Sequence, residues 1–251
     1  MAASALDCAD LSALCGGADL SAVEGLGNRA KARPLHGGQV RPATKREQVR
    51  ALQSLLAEKF PVAAPKPGGT FPLRPGCELR RGVVTEFSSS TGAGALFLHD
   101  LLAAARETRT FAALIDAGRT FDPTSYATTA LARLLWVQCE SAEQAVKAAD
   151  LLLRDGNLPL LALDFQALPA RALQRIPAST WHRFHRLAEQ STAAFVILTA
   201  QPMIEGAKAR LAVRQRWSLR DLRRRRRELL GQLDVQVFAR GESPTLLLKT
   251  A

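Results

Sequence analysis

The chain is poor in cysteine, histidine and aromatic residues and holds no long hydrophobic run, and each shortage removes a class of function. Four cysteines, Cys8, Cys15, Cys77 and Cys139, are scattered through 251 residues without the close pairing that a zinc site or redox dithiol needs. Disulfide frameworks belong to small secreted chains, so all four are expected as free thiols. His182 and His185 sit three apart in STWHRFHRLAEQ. They could share a helix face, but no nearby Cys, Asp or further His completes a coordination set, so no metal is expected. The apolar stretches around 158–165 and 193–200 are about half the length that crosses a bilayer. The opening, MAASALDCADLSALCGG, has acids from Asp7 onward and no basic start before an apolar block, so it is not read as a secretory signal. A cytoplasmic protein with no membrane partner is expected.

Hydrophobic residues make up 47% of the chain, enough for one core of ordinary size with tails to spare. The formal net charge is +11, and its distribution is uneven. Residues 206–251 hold twelve Lys or Arg against four acids, a net +8. A basic C-terminal region attracts polyanions or an acidic partner surface. Its sharpest feature is the unbroken run Arg223, Arg224, Arg225, Arg226, Arg227, preceded by Arg214 and Arg216. Flanked by leucines, the run reads as the outer face of a short helix, a candidate for phosphate contact or for an acidic protein partner. Aromatics are 6% of the chain and only Trp217 is near the run, so base-specific reading has no support.

Three regions follow from the pattern along the chain. Residues 1–44 are rich in Ala, Gly and small polar residues without sustained period, and are expected as a poorly ordered leader. Residues 45–75 combine an amphipathic helix over 45–60, with Val49, Leu52, Leu56 and Phe60 at helical spacing, and a stretch from 61 holding Pro61, Pro65, Pro67, Pro72 and Pro75 that reads as an extended linker. The helix is a candidate for self-association or for docking on the main domain. Residues 76–251 form that domain. Short apolar runs at 83–87, 111–116, 160–164 and 194–199 alternate with helical patterns at 95–107, 141–154 and through TWHRFHRLAEQ. Near-continuous apolar strands between helices predict an α/β fold with a mostly parallel sheet covered on both faces. Segments 210–217, 234–239 and 245–249 predict antiparallel strands at the C-terminal edge, the first with an apolar face of Leu211, Val213 and Trp217 and a basic face of Arg210, Arg214 and Arg216.

The stretch TEFSSSTGAGALFL has the outline of a strand, a phosphate loop and a helix. A working loop needs G-x-x-x-x-G-K followed by Ser or Thr: glycines admit backbone amides to the phosphates, Lys neutralises them and the hydroxyl holds magnesium. Here Ser88 and Ala93 replace the two glycines, Gly94 stands at the Lys position and Ala95 at the hydroxyl position, with Thr91 and Gly92 in between. The charge and metal ligand that drive phosphoryl transfer are missing, so no nucleotide cofactor is expected.

From about residue 73 to 213 the order of segments resembles the RecA recombinase family. LRPGCELRRGVVTEF is similar to the family's approach to its nucleotide loop, and FAALIDAGRTFDPTSY to its second strand with the "IDAE" turn and following "DP". SAEQAVKAADLLLRDGNLPLLALD resembles the helix that runs into the Walker B strand, and STAAFVILTAQ the strand ending in a nucleotide-sensing glutamine. The resemblance places the Walker B carboxylate on Asp164 and the sensor glutamine on Gln201, but puts Gly118 where the catalytic Glu belongs. The two DNA-binding loops are shortened. This pattern of losses resembles the ImuA-type branch, RecA-like proteins without a Walker motif that work in DNA-damage mutagenesis.

The resemblance implies a non-catalytic accessory of translesion synthesis. It would act as an adaptor for an inactive Y-family polymerase relative and an error-prone polymerase, with single-stranded DNA as a candidate further partner. The SulA-type division inhibitors resemble RecA in the same degenerate way, and imply instead binding to the tubulin-like division protein and filamentous cells on expression. A weak ATPase with an unconventional loop is the third expectation; its mark is magnesium-dependent turnover abolished by Asp164→Asn.

Overall fold

The computed structural model describes residues 54, 69–90, 92–213 and 217–239, with secondary structure alone at 5–7. In chain order the strands are β1 Ala5–Asp7, β2 Thr70–Arg74, β3 Cys77–Arg80, β4 Val84–Ser88, β5 Ala112–Asp116, β6 Leu134–Gln138, β7 Leu160–Asp164, β8 Ala194–Thr199, β9 Ala209–Val213 and β10 Val235–Ala239. The helices are α1 Gly94–Glu107, α2 Thr128–Leu131, α3 Ala142–Asp155, α4 Ala170–Gln174, α5 Ala178–Gln190 and α6 Arg226–Gly231.

Eight strands form one sheet in the order β1-β6-β5-β7-β8-β4-β9-β10. Every pairing in it is parallel except β9 with β10. This is the α/β, RecA-like architecture the sequence implies, a mostly parallel sheet flanked by helices with an antiparallel strand at its C-terminal edge. The period of two along each strand divides the apolar side chains between two cores. Leu161 and Leu163 of β7 pack with α3 and α5 on one face, while Leu160 and Ala162 join Phe97, Leu101 and the β2–β3 hairpin on the other.

Local chemistry fixes the element ends. Ser141 caps α3 by accepting from Gln144 N–H, and the Gln144 side chain in turn accepts from Glu140 N–H. This resembles a capping box, with the second bond shifted by one residue to the N–H before the cap. Gly156 closes the same helix at φ +71, a left-handed cap that a side chain would strain.

Three sequence expectations change. The proline-rich linker ends before residue 70, because Thr70–Arg74 pairs antiparallel with Cys77–Arg80 and Pro72 stands opposite Glu78. A two-stranded ribbon leaves outward N–H positions unused, so Pro72 costs no ladder bond there, while Phe71, Leu73, Cys77 and Leu79 turn inward. β9 does not carry a free basic face. It lies between β4 and β10, and Arg210 is drawn inward to a buried acid. The arginine run is not one helix: it spans the end of a 3-10 turn, Asp221–Arg223, two extended residues and the start of α6.

Of the leader, only Ala5–Asp7 is described, as an edge strand on β6. The helix expected at 45–60, apart from Ser54, and the strand expected at 245–249 lie outside the described residues. No described helix is long and apolar enough to cross a membrane. Cys77 and Cys139 are both buried, and Cys8 and Cys15 lie outside the described residues.

Candidate functional site

The C-terminal ends of β4, β5, β7 and β8 meet where ligands bind in open parallel sheets. β4 delivers Ser88 to this edge, β5 Asp116, β7 Asp164 and β8 Thr199, and all four are buried. The loop from Ser88 leads directly into α1. Gly92 takes φ +73, Ala95 is exposed, and Ser89 Oγ accepts from Ala93 N–H at 3.3 Å, so part of the loop's bonding capacity is used within the loop. Thr91 lies outside the described residues.

The segment leaving β7 folds over this edge. Asp164 Oδ1 accepts from Gln166 N–H at 2.9 Å, and Leu168 N–H donates to Phe165 O at 3.0 Å, which ties residues 164–168 into a tight turn. The Gln166 side-chain amide rests directly against Gly94, in space that a Cβ at 94 would overlap. A Cβ at Gly118 would come within 2.5 Å of Ala167 Cβ. Gly94 and Gly118 are therefore both covered by the same short turn.

Asp116 and Asp164 are register partners on adjacent strands. Asp116 spends both carboxylate oxygens on backbone, accepting from Thr120 N–H and Phe121 N–H at 3.0 Å each. Burial pushes the Asp164 carboxyl up to about 6, opposed by the Gln166 N–H and reinforced by the Asp116 charge. Its observed bond is a cap on its own turn. Gln201 follows β8 and is exposed at the same edge.

Glu86 is the functional candidate that motif reading passes over. It is 1% exposed in the middle of β4. Its Oε1 accepts from Met203 N–H at 2.5 Å and Ile204 N–H at 2.9 Å, and its Oε2 lies 3.1 Å from Arg210 Nε. Arg210 also donates to Ile204 O at 3.0 Å. Burial pushes the Glu86 carboxyl up, while the two backbone N–H groups and Arg210 pull it back. The pair pins the turn after β8 that carries Gln201. A lone acid within the apolar run VVTEFS was the available signal.

The basic run is fastened to the rest of the molecule through Arg226 and within its own segment through Arg224. Arg226 donates to Ser125 O at 2.7 Å, meets His99 Nδ1 at 3.3 Å and lies 5.3 Å over the Tyr126 ring. Since a guanidinium only donates, His99 Nδ1 accepts, and burial followed by the Arg226 charge holds His99 below its ordinary range. Arg224 donates to Gln232 Oε1 at 3.0 Å and pairs with Asp221 at 3.5 Å. Arg223, Arg225 and Arg227 are exposed. Arg214 and Arg216 lie outside the described residues. His182 is exposed and His185 half-buried against Glu205 O at 3.2 Å, so the two are not brought together as ligands. Among the described residues no group of three or more His, Cys, Asp or Glu converges.

No protein-family model matches the chain, and no curated protein matches it.

Proposed function

We propose that this is a RecA-like protein without ATPase activity, a cytoplasmic accessory of DNA-damage-induced mutagenesis. It joins an inactive Y-family polymerase relative to an error-prone polymerase, with nucleic acid as a further partner. The observation that carries the non-catalytic reading is the turn at 164–168: Gln166 and Ala167 lie over Gly94 and Gly118, where phosphoryl transfer would need a lysine and a carboxylate. The carboxylate that remains, Asp164, is engaged in capping that turn. The place in damage tolerance is supported by the ordered resemblance of segments 73–213 and by the +8 carried by residues 206–251.

The test is a binding measurement on purified full-length protein. Fluorescent ATP with magnesium is expected to show no saturable binding, and co-purification with the two polymerase-type partners is expected to give a stable complex. ATP turnover lost in Asp164→Asn, or the absence of either polymerase partner from the complex, overturns the reading.

A further inference from the structure

The five consecutive arginines do two different jobs, and the backbone divides them. Asp221–Arg223 is a 3-10 turn, in which residues three apart eclipse. The Asp221–Arg224 ion pair marks one such row, so Arg220 and Arg223 share the next. Arg224 (φ −79, ψ 155) and Arg225 (φ −67, ψ 142) are then extended, and successive side chains in extended backbone point to opposite sides. Arg224 and Arg226, exposed like their neighbours, are held by bonds to Gln232, Asp221, Ser125 and His99. Arg220, Arg223, Arg225 and Arg227 are exposed and have no side-chain hydrogen bond or ion pair with the described residues.

We infer that Arg220, Arg223, Arg225 and Arg227 form a one-sided comb that grips the phosphodiester backbone of a nucleic acid, with Arg224 and Arg226 holding the comb in place. This rests on the accessory-protein reading and names the residues through which nucleic acid is met. Arg224 is extended between Arg223 and Arg225, so the two are separated by residue steps of about 3.3 Å each along the chain. The chemistry selects backbone over bases. Trp217 packs against the hydrophobic core, and Tyr126 lies between His99, Phe121 and Arg226, so neither offers a free ring face.

The test is binding of fluorescein-labelled oligo-dT by the full-length protein across a salt series. Single-strand binding weakens with a log–log slope of about 0.7 per phosphate neutralised, so replacing all four comb residues with Ala should flatten the slope by about 3. Between 50 and 200 mM salt those four contacts account for roughly a fifty-fold loss of affinity. The corresponding four Lys substitutions should keep the slope, and oligo-dA should bind like oligo-dT. Circular dichroism confirms that each variant is folded, which exposed substitutions allow. An unchanged slope in the Ala variant overturns the comb, as does displacement of oligo-dT by polyglutamate at equal charge concentration, which would assign the surface to an acidic protein. Both outcomes leave the ATP and co-purification results untouched, so failure of the comb is separable from failure of the accessory reading.

Discussion

Glu86 of β4 and Arg210 of β9 stand opposite each other on neighbouring parallel strands, and their ion pair is also the anchor of the turn after β8. Removing the acid strands a partly buried guanidinium and two backbone N–H groups together. Glu86→Ala is expected to cost about 3–5 kcal/mol, as for other broken buried pairs. Glu86→Gln, which keeps an acceptor for the N–H groups, should cost distinctly less. Urea denaturation of the two variants checks the order. Hydrogen exchange at Met203 and Ile204 should accelerate in the Ala variant before global unfolding, and equal stability of both variants with wild type would remove the anchoring role.

Asp164 makes stability depend on pH in a stated direction. Its carboxyl is raised from the ordinary 3.8 to about 6, so folding favours its protonated form. That contribution is fully present below the unfolded value and is lost as pH rises through about 6. Above that, ionisation in the buried site costs about 3 kcal/mol relative to the protonated state. Asp164→Asn keeps a side-chain acceptor for Gln166 N–H without the charge. Thermal melts should therefore place the Asn variant above wild type at pH 8, with the gap closing towards pH 5. A gap independent of pH would mean that the carboxyl is not held in this environment.

The strands buried on both faces were the most legible part of the fold. β7 and β8 are continuous apolar runs, and their bounds at Leu160–Asp164 and Ala194–Thr199 match the sequence reading. β6 was not picked out, because LLWVQ sits between a polar helical turn and the start of the SAEQ helix without a clear alternation of its own. The hairpin at 70–80 was hidden by its prolines, whose effect depends on whether the outward N–H is needed. Charges were the least legible. Arg210 was assigned to an outer face and Glu86 to none, since sequence gives the alternation of a strand but not which neighbour supplies a counter-charge. The sequence shows glycine at 94 and 118. What occupies the space they leave, Gln166 and Ala167, is a property of the turn.

That turn makes the two glycines unequal. The group over Gly94 is the end of a flexible glutamine, which can swing aside, whereas Gly118 faces the Cβ of Ala167, which cannot rotate away. Gly94→Lys is expected to be tolerated within about 1 kcal/mol, while Gly118→Glu should cost about 1–3 kcal/mol through overpacking. The double variant places a lysine and a glutamate at these positions without opening the space between them, and is expected to show no ATP turnover. Chemical denaturation ranks the variants, and a phosphate-release assay tests the double. Turnover in the double variant would mean that the turn yields to nucleotide.

Arg74 fastens the C-terminal unit at the other end of α6 from Arg226. It bonds Asp100 of α1 and donates to Leu233 O at 2.6 Å, at the end of α6, where cations suit the exposed carbonyls. Charge-assisted bonds of this kind contribute about 1.5–3 kcal/mol each. Arg74→Ala and Arg226→Ala should each loosen the segment from Ser218 to Leu233 while leaving the central sheet intact. Arg225→Ala, which removes no internal bond, should loosen nothing. Hydrogen exchange at Leu229 and Leu233, whose amides donate to Arg225 O and Leu230 O, reads the difference. Faster exchange in the first two variants and wild-type exchange in the third establishes that α6 is docked by these two arginines, and equal exchange in all three would mean that the apolar contacts of Leu233 and Val235 suffice to hold it.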